Sequence, residues 1–196
     1  MTLTVANILT VSRLFLAPIF LVFALSDDAT GVTVAAIIFA VAAVTDWLDG
    51  FSARAYGQVT EQGEFLDPLA DKVLTTSAFV AFYMLDIMPL WMILVIIVRD
   101  FGITVMRSIA DQRGTPMKTS WHAKVKTFLQ MLVIVYVIGL LWWSLNAPHD
   151  EQYPQLAHDI LYSDWTYIPL LVLTLLTMWT AIEYVWTNRS LFQRES

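Results

Sequence analysis

The sequence predicts an all-α, polytopic membrane protein: a six-helix bundle with a polar site near one membrane face. Three observations carry that prediction. The chain of 196 residues is 58% hydrophobic and only 14% charged, far too apolar for a soluble domain of this size. It divides into roughly six apolar stretches of spanning length, about 20 residues for a ~30 Å hydrocarbon layer. Its eleven Lys and Arg residues fall on one side of the up-and-down bundle that those stretches make.

The stretches lie at about 7–26, 31–53, 65–88, 89–111, 122–145 and 165–187, and together they make the whole chain, 1–196, a single membrane domain. The first carries Arg13 within its apolar run and is followed by no small-residue cleavage site, so it reads as a retained span and not as a signal peptide. With the N-terminus in the cytoplasm, Arg13, Arg54, Lys72, Arg99, Arg107, Arg113, Lys118, Lys124, Lys126, Arg189 and Arg194 all lie on or toward the cytoplasmic side. The opposite connections, 26–31, 85–89 and 146–164, hold Asp27, Asp28, Asp86, Asp150, Glu151, Asp159 and Asp164 with no Lys or Arg. This asymmetry puts both termini in the cytoplasm. The segment from Asn146 to Asp164 is the one sizeable extramembrane connection and is expected to be an ordered surface loop on the outer face. Trp142, Trp143, Trp165 and Tyr167 cluster near predicted span ends as interfacial belt residues. The chain has no cysteine, which excludes disulfides and thiolate metal sites.

Charges inside the apolar stretches locate the chemistry. Asp46, Asp49, Gly50, Ala53 and Arg54 are offset by 0, 3, 4, 7 and 8, one stripe of a helix, and Gly63, Asp67 and Asp71 by 0, 4 and 8, a second stripe. Facing stripes would bring four carboxylates together where bare negative charge is too costly, so a pair of divalent cations is the natural counter-charge. Asp46, Asp49, Asp67 and Asp71 are the candidate ligands.

Arg99 and Arg107, offset by eight, share a helix face, which favours anion binding. Lys124 and Lys126 open the fifth stretch and read equally as interfacial lysines. Lys72 reads as a snorkelling lysine or a ligand contact, and Arg13 as a positive-side anchor or a site residue. His122 has no carboxylate close in sequence and reads as interfacial, while His149 and His158 fall on the wrong side for the site. Carboxylates gathered near one face argue for an enzyme; a cation transporter, the rival class, would spread them through the membrane depth.

The run D-x-x-D-G-x-x-A-R, eight residues, G-x-x-x-D-x-x-x-D, from Asp46 to Asp71, resembles the signature of the CDP-alcohol phosphatidyltransferase family with no departure at its eight fixed positions. Chance recurrence of eight fixed residues is on the order of 10⁻¹⁰ per start position. Asn7-x-Leu9-Thr10-x-x-Arg13, Phe65 through Lys72, Arg99-Asp100 with Arg107, and Lys124-Val-Lys126-Thr127 are similar to members that use glycerol 3-phosphate as acceptor. The likeness covers about residues 5–130, with Asp100 standing where Glu is expected.

The resemblance implies transfer of a phosphatidyl group from CDP-diacylglycerol to sn-glycerol 3-phosphate with release of CMP. Inositol phosphate, serine and phosphatidylglycerol are the alternative acceptors. It further implies two divalent cations, Mg²⁺ or Mn²⁺, on Asp46, Asp49, Asp67 and Asp71, with Asp71 also the general base. Gly50, Ala53, Arg54 and Gly63 would contact CDP-diacylglycerol, and Arg99, Arg107, Lys124 and Lys126 the acceptor phosphate. A homodimer among the lipids of a bacterial inner membrane is implied as well, with no nucleic-acid partner.

Overall fold

The computed structural model describes the backbone of residues 5–56, 61–112, 114, 117, 120–147 and 152–189, and side chains within 12–45, 72–112, 114, 117, 120–147 and 153–189. Among the described residues there are seven α-helices and no strand: α1 (Val5–Ala24), α2 (Ala29–Tyr56), α3 (Glu61–Met84), α4 (Leu90–Gln112), α5 (Trp121–Asn146), α6 (Gln152–Leu161) and α7 (Asp164–Thr187). Six of them, α1 to α5 and α7, match the six apolar stretches to within about one turn.

The helix surfaces are those of a membrane protein. Phe15, Val22, Val98, Phe128, Trp179 and Ile182 are each more than 60% exposed, and water would not tolerate so many large apolar side chains on one small chain. Within the described residues, Trp121–Asn146 and the α6–α7 stretch Tyr153–Thr187 are long and apolar enough to cross a bilayer, and Ser12–Ala24, Ala29–Thr45 and Lys72–Met84 are shorter apolar runs. Helix α4 carries Arg99 and Asp100 at its middle and Arg107 two turns further on, which breaks its apolar run.

Helix α1 is the common wall: it packs against both α2 and α3. Small residues allow the close approach, with Ala17, Ala24, Ala35, Ala42, Ala78 and Ala81 all buried along these helices. Phe20 and Phe39 fill the gap between α1 and α2 with ring centroids 5.7 Å apart. Phe79 and Phe82 meet edge to face at 6.0 Å on α3. Helix α3 continues the packing onto α4, α4 onto α7, and α5 onto both α2 and α7. Buried Thr174 and Thr177 on α7 spend their hydroxyls on the carbonyls one turn back, Leu170 and Leu173, at 2.8 and 2.7 Å. Their polar groups are thereby satisfied inside the bundle.

Caps account for where the helices stop. Asp28 precedes α2 and its carboxylate accepts from the Gly31 amide at 3.3 Å. The Ser26 hydroxyl and that amide hold the Asp28 carboxyl below the usual carboxylate range. Helix α3 ends with Asp86 in the left-handed region, φ 57°. Ile87 N–H reaches back to the Phe82 carbonyl at 2.8 Å and Asp86 N–H to that of Tyr83 at 3.0 Å, the paired bonds of a Schellman stop. The Tyr162 hydroxyl donates to the Leu85 carbonyl at 3.0 Å, which ties the α6–α7 link to the α3–α4 turn.

The segment 146–164 departs from expectation. It holds helix α6, where a surface loop was expected. Ala157 and Leu161, one turn apart, are buried and the helix packs on α5 and α7. Pro154 is no obstacle because it sits in the first turn, where its missing N–H would have no partner.

Asp86 generates a stability prediction. Asp86→Gly removes the left-handed penalty and should raise the thermal midpoint in detergent, whereas Asp86→Val should lower it by the equivalent of about 1–2 kcal/mol. Circular dichroism melts of the two variants check this; a Val variant as stable as the parent would contradict the assigned turn.

Candidate active site

Helices α2 and α3 bring the signature into helical register. Asp46, Asp49, Gly50, Ala53 and Arg54 all lie on continuous α2, and Gly63, Asp67 and Asp71 on continuous α3, so the 3- and 4-residue spacings become single stripes. The side chains of these eight residues lie outside the described ones, as do the residues 57–60 that join the helices. Four carboxylates supply only hard oxygen donors, a set that fits Mg²⁺ or Mn²⁺ and not a soft thiophilic ion.

One residue beyond Asp71 the described network begins. Asp100 of α4 is almost fully buried, and three cations from three helices meet its carboxylate. Lys126 Nζ of α5 lies 2.5 Å from Oδ1, Arg99 of α4 donates to the same oxygen at 3.0 Å, and Lys72 Nζ of α3 stands 3.9 Å from Oδ2. Lys126 also donates to Gln130 Oε1, one turn along α5. Its own exposure is 0%, so it is wholly committed to these partners. Removing one member of such a buried pair costs about 3–5 kcal/mol, because the other charge is left in low dielectric.

The four cations expected to hold an acceptor phosphate therefore separate into two sets. Arg99 and Lys126 are joined through Asp100, with side-chain exposures of 9% and 0%. Arg107 is 56% exposed and 3.9 Å from Asp111, and Lys124 is exposed at the start of α5. Arg99 and Arg107 stand about 12 Å apart along α4, from the helical rise. Arg13 is buried in the bundle and does not sit at its edge. Asp100 and Gln130 are the members that sequence reasoning passed over as site residues. Their signals were an unexplained intramembrane acid and a polar residue four positions after a lysine.

The family model for CDP-alcohol phosphatidyltransferase matches residues 3–186. The chain belongs to this family. It is similar to a probable phosphatidylglycerophosphate synthase of Mycobacterium tuberculosis H37Rv, 41% identical over 146 residues, spanning 73% of this chain and 68% of that one. It is similar also to the CDP-diacylglycerol–glycerol-3-phosphate 3-phosphatidyltransferase of Bacillus subtilis 168, 36% identical over 140 residues, 65% of this chain and 72% of that one. The protein of the same description in Escherichia coli K12 is 31% identical over 197 residues, 97% of each chain. As a family member the chain is a membrane phosphatidyltransferase, of a family that generally depends on divalent cations.

At the same end of the bundle, α5 is pinned to α7. Ser120 caps α5 by accepting from the Ala123 amide at 3.2 Å and donates to Glu183 at 3.1 Å. His122, for which the sequence offers no nearby carboxylate, has Nδ1 at 2.9 Å from the same Glu183. The partner was hidden by a separation of 61 residues. This clamp sits at the start of the helix that presents Lys126, so its loss should loosen the site. We expect Ser120→Ala and Glu183→Ala each to lose about 1 kcal/mol, with the double variant losing less than the sum. Additive losses in a double-mutant cycle would contradict the clamp.

Proposed function

We propose that the chain transfers the phosphatidyl group of CDP-diacylglycerol to the 1-hydroxyl of sn-glycerol 3-phosphate, releasing CMP and forming phosphatidylglycerophosphate for phospholipid synthesis. The observation that carries this is the adjacency of two parts: the eight-residue signature along α2 and α3, and a cationic network that starts at Lys72, next to the last signature acid. The first part is suited to a pyrophosphate with metals, and the second to an anionic acceptor.

In this reading Asp46, Asp49, Asp67 and Asp71 hold two divalent ions, Mg²⁺ or Mn²⁺. When bound, the ions neutralise the pyrophosphate and make CMP a better leaving group. Gly50, Ala53 and Gly63 let the phosphates of CDP-diacylglycerol come close to the helix backbone, and Arg54 adds a cation. Arg99, Arg107, Lys124 and Lys126 provide the positive field for the acceptor phosphate, the exposed pair drawing it in, Arg99 meeting it and Lys126 adding its charge from behind Asp100. The acceptor hydroxyl oxygen attacks the phosphatidyl phosphorus, its proton passes to Asp71, and the bond to CMP breaks with its electron pair on the departing phosphate.

Charge asymmetry supports six spans, both termini in the cytoplasm and a site at the cytoplasmic face of a bacterial inner membrane. Membrane lipids surround the single domain, and we infer a homodimer.

The metal and base roles separate by substitution. Asp49→Ala, like Asp46→Ala and Asp67→Ala, should be folded and inactive, and EDTA should abolish parent activity. Asp71→Asn keeps size but cannot take a proton, and should bind CDP-diacylglycerol while turning over at least ~100-fold more slowly. CMP release with and without added Mg²⁺ measures both; near-normal turnover of Asp49→Ala, or of parent enzyme in EDTA, would overturn the reading.

A further inference from the structure

Three cations, Lys72, Arg99 and Lys126, meet one carboxylate in the Asp100 cluster. The cations are not equivalent. Lys126 is sealed, its ammonium between Asp100 and Gln130, while Arg99 and Lys72 keep 9% and 15% of their side chains exposed. Arg99 Nε is buried with no hydrogen-bond partner among the described residues, a donor still lacking an acceptor. A phosphate monoester, with three acceptor oxygens and negative charge, matches that donor and the cationic surroundings of the guanidinium.

We propose that Asp100 is a positioning residue of the acceptor site: anchored from α5 by Lys126 and Gln130, its carboxylate sets Lys72 of α3 and Arg99 of α4 as a pair for the phosphate of glycerol 3-phosphate. This rests on the acceptor reading given above. Lys126 acts through Asp100 and not on the ligand. Without Asp100, Arg99 and Lys72 would repel each other and swing apart, so binding of the phosphorylated acceptor would suffer more than binding of CDP-diacylglycerol.

The test uses the purified full-length enzyme in detergent and lipid, with steady-state CMP release measured against each substrate in turn. Asp100→Asn should raise the KM for glycerol 3-phosphate by about tenfold to a hundredfold, the loss of a charge-assisted contact, with the KM for CDP-diacylglycerol within about twofold. Lys126→Met should shift the same constant in the same direction. Combining the two should add little to the larger single effect, since both act through one unit. Inorganic phosphate as a competitive inhibitor should weaken in parallel. Asp100→Glu keeps the charge and should restore most of the affinity; it also serves where Asp100→Asn folds poorly.

Equal changes in both KM values for Asp100→Asn, or a lowered melting temperature with unchanged glycerol 3-phosphate dependence, would overturn the positioning role. Arg99→Gln and Lys72→Met distinguish the two levels of the argument. If both leave glycerol 3-phosphate dependence intact, the acceptor reading itself fails. If they raise that KM and Asp100→Asn does not, only the role of Asp100 falls.

Discussion

Charge inside an apolar bundle has to be compensated where it stands, and in this chain that requirement organises everything else. Transfer of one charged side chain to the middle of a membrane helix costs about 2.5–3.5 kcal/mol on insertion scales, and isolated burial costs more. The chain meets this by concentrating its charges. Asp100 sits where α3, α4 and α5 converge, and each of those helices sends it a cation. The result holds the three helices in one register, because a slide of one turn by any of them would strand a charge. Apolar contacts along α1, α2 and α3 give the bundle its cohesion, but they do not distinguish one axial alignment from another so sharply.

The same requirement links fold to chemistry. A buried donor with no acceptor among the described residues, as at Arg99 Nε, is where a ligand can supply one. Three cations, on α3, α4 and α5, meet one carboxylate, and in the sequence the first of them, Lys72, follows the last acid of the signature. A reaction that brings a metal-bound pyrophosphate and a phosphorylated alcohol together needs both carboxylates and cations.

Much of this was legible in the sequence because membrane helices obey few rules strongly. Length and apolarity gave α1 to α5 and α7 to within about a turn, since a span has little freedom in either. Helix α6 was not legible: its aliphatic residues Leu156, Ala157, Ile160 and Leu161 are few, its length is 10 residues, and Pro and charged residues around it read as a loop. The signature showed the family, because eight fixed residues at helical spacings are a pattern that chance does not produce. Partnerships across the bundle stayed hidden, because His122 finds Glu183, and Asp100 finds Lys126 and Lys72, only once the helices pack. Sharing a face of α4 did not unite Arg99 with Arg107 in one network, since two helical turns carry one into the interior and leave the other exposed.

The central claim is that the cations gathered around Asp100 select an acceptor that carries a phosphate. Purified protein supplied with CDP-diacylglycerol and Mg²⁺ can be offered glycerol 3-phosphate, glycerol, serine or inositol in parallel, with CMP release as the readout. The account predicts rapid release with glycerol 3-phosphate and little above background with the three uncharged or zwitterionic acceptors. Release with glycerol or serine at a rate comparable to that with glycerol 3-phosphate would contradict it.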